Sequence, residues 1–237
     1  MSGGEDGGGQ PSLRHLFSTN KGAEFCAPLS AIDWNRVQPS LIASSSVDTT
    51  CSIWDVEALA CKTQLIAHDV EVFDISWAPN PFQFATCSSD GSVRLFDTRV
   101  LEHSTVQYES QVNNPILRVM WNRADPNYLA VITMDSPNVA ILDIRILMFA
   151  VAELRGHSEP VNALCWNPNA DQFLCSGAED AKALIWDVTQ KEGESREISS
   201  PLLTYQAQGE VAGIDWSLAK QDWIGITFQN KAQLLRV

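Results

Sequence analysis

The chain has 237 residues, and its 16 Lys and Arg stand against 29 Asp and Glu, which gives a formal net charge of −13. Nucleic-acid recognition depends on Lys and Arg that neutralise phosphates, so this balance disfavours direct contact with nucleic acid or with an anionic membrane. Hydrophobic residues make up 45% of the chain, as in globular proteins. The longest wholly apolar stretch, residues 146–152, is far shorter than the ~20 residues of a membrane-spanning helix.

Residues 1–11 form a glycine-rich segment without the basic and apolar portions of a secretory signal, and we predict a flexible head there. The chain contains six cysteines, of which no two form a Cys-x-x-Cys pair and most lie inside apolar runs. Buried free thiols are typical of a reducing compartment, so we expect the protein in the cytoplasm and the nucleus.

A tryptophan recurs along the chain in a similar local context, at successive spacings of 43, 44, 45 and 50 residues. A second apolar anchor, usually followed by Asp, comes 19 to 21 residues after each of these tryptophans. Spacings this constant indicate an internal repeat of five units. The first anchors of the units are Trp34, Trp77, Trp121, Trp166 and Trp216.

Each unit contains short apolar runs separated by turn residues. In the second unit an alternating run ends at Trp77, a Pro- and Asn-rich turn follows, and the tight turn at Asp90 precedes a run ending at Phe96. Short β-branched and aromatic runs without helical periodicity predict strands. Four strands at a period of about 40–45 residues are typical of a propeller blade, so residues 12–237 are predicted to form an all-β propeller with five blades.

Two of the second anchors are the dipeptides Trp54-Asp55 and Trp186-Asp187, and the fourth unit begins with Gly156-His157. These motifs resemble those of WD-repeat β-propellers. Longer segments, among them residues 62–69 and 125–130, are similar to a narrower group. It is the adaptor family that includes the plant transparent testa glabra protein, the petunia anthocyanin regulator and an animal WD-repeat protein counted among cullin-4-associated factors.

That family has seven blades, so the resemblance implies that two N-terminal blades are lacking here. The sequence is consistent with two arrangements of the five blades. Residues 12–18 could supply the missing fourth strand of the last blade and close a five-bladed ring, or the five units could form a partial, open arc with unpaired blade faces.

The resemblance also implies that a His, a Ser or Thr, an Asp and a Trp form a buried hydrogen-bonded tetrad within a blade, since buried polar groups need mutual partners. The second unit has Phe96 at the Trp position, where no indole N–H is available. The fourth unit is complete and has the tetrad His157, Ser176, Asp180 and Trp186.

A Ser, a His and an Asp in one unit also invite a catalytic-triad interpretation. The repeat already explains their spacing, and Ser176 lies outside any Gly-x-Ser-x-Gly motif. His15 and His103 stand alone in polar contexts, which favours surface histidines over metal ligands. We therefore predict a protein that is not an enzyme, with no catalytic residues, no cofactor and no metal site.

The family resemblance implies a scaffold that assembles protein complexes with kinases or with basic helix-loop-helix and MYB transcription regulators. We expect it to act as a monomer within such a complex. The acidic balance suits partners with basic segments, and recognition of a histone tail is a further alternative.

The main alternative function is that of a substrate receptor of a cullin-4 ubiquitin ligase. In such receptors a blade ends in Trp-Asp-x-Arg or a variant, and two units here end in Asp97-Thr98-Arg99 and Asp143-Ile144-Arg145. Each Arg could reach the ligase adaptor through charge-assisted hydrogen bonds. Alternatively, each Arg pairs with the neighbouring blade and only stabilises a turn.

Overall fold

The computed structural model describes residues 15–18, 27–110, 113–188 and 196–237, and these contain strands grouped in five successive sheets. Blade one consists of β1 (Leu29–Trp34), β2 (Leu41–Ser46), β3 (Thr50–Asp55) and β4 (Ala60–Ile66). Blade two consists of β5 (Val72–Trp77), β6 (Gln83–Ser88), β7 (Ser92–Asp97) and β8 (Val100–Glu109). Blade three contains β9 (Ile116–Trp121), β10 (Tyr128–Thr133), β11 (Asn138–Asp143) and β12 (Ala150–Arg155).

Blades four and five follow in the same order. Blade four consists of β13 (Val161–Trp166), β14 (Phe173–Ala178), β15 (Lys182–Asp187) and β17 (Leu203–Gln206). Blade five has three strands in the part of the chain that the structure describes, namely β18 (Val211–Trp216), β19 (Trp223–Phe228) and β20 (Lys231–Arg236). No helix within the described ranges is long and apolar enough to cross a membrane.

The turns within the blades are held by Asn and Asp side chains. The amide oxygen of Asn35 accepts hydrogen bonds from the backbone N–H groups of Val37 and Gln38, at 3.0 and 2.9 Å. The carboxylate of Asp55 accepts two backbone N–H groups in the same way. Such local bonds satisfy the backbone where the ladder ends, which explains why turn residues punctuate each unit.

Each blade packs against the next through a buried apolar core. One side of every such core comes from the inner-strand Trp of the following blade and its neighbours, so Trp77, Trp121 and Trp166 are only 4, 1 and 3% exposed. Trp34, at the same place in blade one, is 53% exposed because no described blade precedes it. Burial of the Trp therefore depends on a preceding blade, not on the repeat itself.

In the part of the chain that the structure describes, the five blades form an open arc. Four apolar cores join consecutive blades, and none of those found among the described residues joins blade five to blade one. A closed five-bladed ring would need such a fifth core. Of the two arrangements left open by the sequence, closure by residues 12–18 is not seen in the described residues: residues 15–18 form no strand in blade five, and the Phe17 ring lies 5.4 Å from the Trp54 ring of blade one. Residues 12–14 lie outside the described part of the chain.

A short strand extends blade three. Residues 191–200 are mostly polar, which predicts a loop between units four and five, and residues 191–195 lie outside the described part of the chain. However, β16 (Arg196–Ile198) pairs in parallel with β12 and adds an outer strand to blade three. Ile198 is 7% exposed in the core between blades three and four, so one apolar side chain explains why this segment docks. The connection lies inside blade four, between β15 and β17.

Candidate protein-interaction site

The fourth blade brings its four predicted tetrad residues together. The His157 Nε2 lies 2.8 Å from the Ser176 hydroxyl, and the Trp186 Nε1–H donates to the same hydroxyl at 2.8 Å. The His157 Nδ1 lies 3.1 Å from both carboxylate oxygens of Asp180.

This geometry sets the proton positions. The Trp indole can only donate, so the Ser176 oxygen accepts from it and the Ser176 O–H donates to Nε2 of His157. The Nδ1–H then donates to Asp180, and the imidazole is neutral. Burial lowers the pKa of His157, which is consistent with the neutral ring. Burial raises the pKa of Asp180, but hydrogen bonds from the Ser158 N–H and His157 outweigh it and lower the value overall.

The other blades have partial versions of this cluster. In blade two, His68 lies 2.9 Å from Asp90 and 2.8 Å from the Thr86 hydroxyl, while Phe96 stacks on Phe84 at 5.1 Å instead of donating. In blade one the Trp54 indole donates to Ser44 at 2.8 Å. Phe25, which the sequence places at the His position of blade one, lies outside the described residues.

These clusters have no access to a substrate. The hydroxyl residues Ser44, Thr86 and Ser176 are each at most 1% exposed. Their bonds are made to other side chains of the same tetrads, so the blades present a buried structural network and not an activated nucleophile.

The second blade exposes an arginine at the end of β7. The Arg99 Nε and Nη2 donate to the two carboxylate oxygens of Asp97 at 2.9 and 2.5 Å, and its backbone N–H donates to Asp97 at 2.9 Å. The guanidinium lies 4.6 Å from the centre of the Phe82 ring. The Arg99 side chain is 61% exposed and closes onto its own blade, so pairing with the neighbouring blade is not its role here.

The third blade repeats this arrangement. The Arg145 Nε and Nη2 donate to Asp143 at 2.9 and 2.6 Å, and its backbone N–H donates to Asp143 at 2.9 Å. Its guanidinium also lies 3.2 Å from the Tyr128 hydroxyl and 5.9 Å from the centre of that ring. Hydrogen bonding to Arg99 lowers the pKa of Asp97. Burial raises the pKa of Asp143, but hydrogen bonds from Arg145 lower it overall.

Both arginines lie at the same end of adjacent blades, because each follows the third strand of its sheet. We call this surface the fork face, and it comprises Asp97, Arg99, Asp143, Arg145, Phe82, Val100 and residues 146–149.

Sequence reasoning missed the apolar part of the fork face. Residues 146–149 expose Ile146, Leu147, Met148 and Phe149, with Phe149 69% exposed. The fully buried Gln107 of blade two holds this turn, since its amide donates to the carbonyls of Asp143 and Ile146 at 2.9 and 2.8 Å. Its backbone carbonyl accepts the Met148 N–H at 2.8 Å. The signal in the sequence is the longest apolar run of the chain, residues 146–152, which begins in this turn.

Comparison with known proteins identifies the repeats. The chain matches the family described as WD domain, G-beta repeat at residues 59–97 and 149–187. One chain in the crystal structure of the mitotic checkpoint complex superposes with a TM-score of 0.73 at 20% identity, covering 88% of this chain and 60% of that chain. The prediction of an all-β WD-repeat propeller with five recognisable blades is thereby confirmed.

Relatives found by sequence identify the family within the WD-repeat proteins more closely. The chain is 48% identical over 234 residues to the DDB1- and CUL4-associated factor 7 homolog of Dictyostelium discoideum, covering 98% of this chain and 71% of that protein. A WD repeat-containing protein of Schizosaccharomyces pombe is 32% identical over 278 residues, covering 93% of this chain and 64% of that protein. A WD repeat-containing protein of Saccharomyces cerevisiae is 41% identical over 180 residues, covering 68% of this chain and 34% of that protein. The chain thus spans less than two thirds of both yeast proteins. Its identity to the Dictyostelium protein shows that the chain belongs to the WD-repeat family of the DDB1- and CUL4-associated factor 7 proteins.

Proposed function

We propose that the chain is a non-enzymatic scaffold that assembles protein complexes. The observation that supports this is the contrast between its two kinds of polar residue. The Ser, His and Asp clusters are buried and satisfied within blades, whereas the fork face exposes two arginine forks beside the apolar residues 146–149. No group of three His, Cys, Asp or Glu that could hold a metal ion occurs within the described ranges. A rigid surface with exposed turns suits recognition of other proteins.

The proposed binding partner of the scaffold is a protein kinase or a transcription regulator of the basic helix-loop-helix or MYB type. Support comes from the segments that resemble the transparent testa glabra and anthocyanin-regulator adaptors, and from the net charge of −13, which suits basic segments. We place this role in the cytoplasm and nucleus, supported by five described cysteines that are all free thiols.

A specific observation favours a second role, contact with the adaptor of a cullin-4 ubiquitin ligase. Two neighbouring blades present the same Asp–Arg fork, and the Dictyostelium relative is named for its association with DDB1 and CUL4. The departures from Trp at the preceding position, Phe96 and Leu142, are both buried and do not alter the fork. The fork therefore does not depend on the indole of the family motif.

The forks are suited to such a contact for a physical reason. Asp97 and Asp143 hold each guanidinium in one orientation, so less side-chain entropy is lost when a partner binds. The Arg99 and Arg145 side chains are 61 and 53% exposed, so their guanidinium groups can be reached by carbonyl or carboxylate oxygens of the partner. The apolar residues 146–149 beside Arg145 supply area that a partner can bury.

The test is affinity purification of the chain from its own cell extract, read by quantitative mass spectrometry. Three forms are compared: the wild type, the double variant Arg99→Ala and Arg145→Ala, and Arg155→Ala. Arg155 is a matched control, because it forms the same kind of fork with Glu153, which lies two positions earlier. Arg155 lies at the end of β12 that points away from the fork face. We expect the wild type and the control to recover the ligase adaptor and the double variant to lose it. Equal recovery by all three forms contradicts the ligase role and leaves the scaffold role to the kinases or transcription regulators that are recovered.

A further inference from the structure

The outer edge of blade three carries a strand that comes from another blade. The strand β16 lies in the connection between the third and fourth strands of blade four, and it pairs in parallel with β12. The register places Glu197 opposite Glu153 and Ile198 opposite Leu154. The outer strands β4 and β8 of blades one and two have no such added neighbour among the described residues. The outer edge of blade three therefore accepts an extended segment, and the chain itself supplies one.

The side chains of β16 show what this edge recognises. Ile198 is 7% exposed and packs into the core between blades three and four together with side chains of β12. The Glu197 carboxylate lies 3.0 Å from the guanidinium of Arg155 at the end of β12. Residues 199–200, which follow, are exposed. The edge thus binds one aliphatic side chain and one carboxylate at adjacent positions of an extended backbone.

The strand β16 is held at fewer points than the strands inside a blade. Three residues of β16 pair with β12, whereas five residue pairs join β11 to β12. The Arg155 and Glu197 side chains are 48 and 65% exposed, so solvent screens their ion pair. Ile198 is the one buried side chain in residues 197–200. A strand with so few contacts opens locally more often than the blade to which it is added.

The connection that contains β16 is longer than the fold requires. Residues 98–99 connect the third and fourth strands of blade two, and residues 56–59 do so in blade one. In blade four the same step takes residues 188–202. Connections of this length within a compact domain are uncommon and usually have a function. The extra length allows part of the connection to reach the edge of blade three.

We propose that the outer edge of blade three is a strand-addition site for an extended segment of a partner protein, and that β16 occupies this site in cis. The partner segment has a β-branched aliphatic residue directly preceded by Glu or Asp. It adds to β12 as a parallel strand, places its aliphatic side chain where Ile198 lies, and sets its carboxylate beside Arg155. This edge is separate from the two Asp–Arg forks and does not depend on the ligase contact proposed above.

Occupation in cis lowers the affinity for the partner segment. A tethered strand competes at a high effective concentration. The apparent affinity of the partner is therefore reduced in proportion to the fraction of molecules in which the edge is free. Replacement of Ile198 by a small polar residue removes the buried contact of β16 and leaves a space that the aliphatic side chain of the partner fills.

The experiment measures binding of a fluorescent peptide to the full 237-residue chain by fluorescence anisotropy. The peptide copies residues 193–201, Gly-Glu-Ser-Arg-Glu-Ile-Ser-Ser-Pro, and a second peptide has Ser in place of its Ile. The chains are the wild type, Ile198→Ser and Glu197→Lys, which removes the ion pair at an exposed position. Leu202→Ser is the matched control, because Leu202 belongs to the same connection and is 57% exposed. Thermal melting of each chain establishes that it is folded.

We expect Ile198→Ser to bind the first peptide at least about tenfold more tightly than the wild type, and Leu202→Ser to bind it like the wild type. Glu197→Lys, which loses a screened ion pair, should bind about two- to threefold more tightly. The second peptide should bind Ile198→Ser at least about tenfold more weakly than the first. Hydrogen exchange in β12 of Ile198→Ser should slow when the first peptide is added, while exchange in β8 stays unchanged.

The proposal is overturned if folded Ile198→Ser binds the first peptide no better than the wild type does, or if both peptides bind it equally. It is also overturned if bound peptide leaves exchange in β12 unchanged. Should Ile198→Ser fail to fold, Glu197→Lys decides, and equal binding by Glu197→Lys and the wild type then overturns the proposal.

Discussion

The backbone N–H of Trp77 donates a 2.7 Å hydrogen bond to the carboxylate of Asp33, which lies 44 residues earlier and in the preceding blade. Burial raises the pKa of Asp33, although the Trp77 N–H itself lowers it. The Asp33 carboxylate is therefore partly desolvated where it accepts the backbone N–H of Trp77 in the next blade. This relationship explains why an acidic residue stands directly before the exposed Trp34 and beside an apolar core.

Replacement of Asp33 tests this link. Asp33→Ala leaves the Trp77 N–H without its acceptor, and we expect a loss of about 1–3 kcal/mol in the free energy of unfolding. Asp33→Asn keeps an amide oxygen as acceptor and should lose less. Urea denaturation measures both, with Asp69→Ala as the control, because the Asp69 side chain is 89% exposed. An Asp33→Ala protein as stable as wild type would contradict the role of this bond.

The tetrad of blade four is expected to be the most sensitive polar cluster. Trp186→Ala leaves a cavity and Asp180→Ala leaves the His157 Nδ1–H without an acceptor, so each should cost roughly 2–4 kcal/mol. Differential scanning calorimetry should show a lower Tm for both variants. Asp171→Ala, on an exposed turn of the same blade, should leave the Tm unchanged. An unchanged Tm for Trp186→Ala would show that the four residues do not act as a unit.

Stability should fall on mild acidification because of His157. Burial lowers the pKa of His157 below its usual value of 6.5, so the unfolded chain binds this proton more readily than the folded protein. The contribution to stability is present above 6.5 and is lost as the pH falls from there through the folded pKa.

The measurement compares wild type with His157→Gln in urea at several pH values above 5, where the carboxyl of Asp180 stays ionised in both states. The difference between the two proteins isolates His157, because other titrating groups such as Asp74, whose pKa burial raises to about 6, are present in both. The wild type should lose stability more steeply than the variant as the pH falls. Parallel pH profiles would contradict a neutral buried imidazole.

Gln107 should control the order of the fork face. Gln107→Ala removes the donors to the Asp143 and Ile146 carbonyls, and we expect a loss of about 1–3 kcal/mol for the buried groups left unpaired. Hydrogen exchange at residues 146–149 should become faster, while exchange in β13 stays unchanged. Gln64→Ala, which removes one exposed bond to Thr50, is the control. If exchange at residues 146–149 does not change, Gln107 does not hold this turn.

Much of the fold is readable from spacing alone. Trp77 and Phe96 lie 19 residues apart, and the turn residues between them leave room only for strands. The four tetrad residues His157, Ser176, Asp180 and Trp186 could also be named, because one unit contains every type that the buried cluster needs. These features depend on residues close in sequence, whose geometry follows from strand length and turn chemistry.

Other features depend on what packs against a residue, which the repeat cannot specify. Trp34 and Trp77 stand in similar local sequences, yet one is 53% exposed and the other 4%, because only Trp77 has a described blade in front of it. Likewise, β16 joins a blade formed by residues more than 40 positions away, since Ile198 finds an apolar core there. The sequence by itself determined that each unit is built of short strands, and it determined the buried polar cluster of blade four. Only the tertiary structure decided that no apolar core among the described residues joins blade five to blade one, and that both arginines fold onto their own Asp. The physical reason is that strand formation is local, whereas burial and inter-blade bonding depend on which neighbours are present.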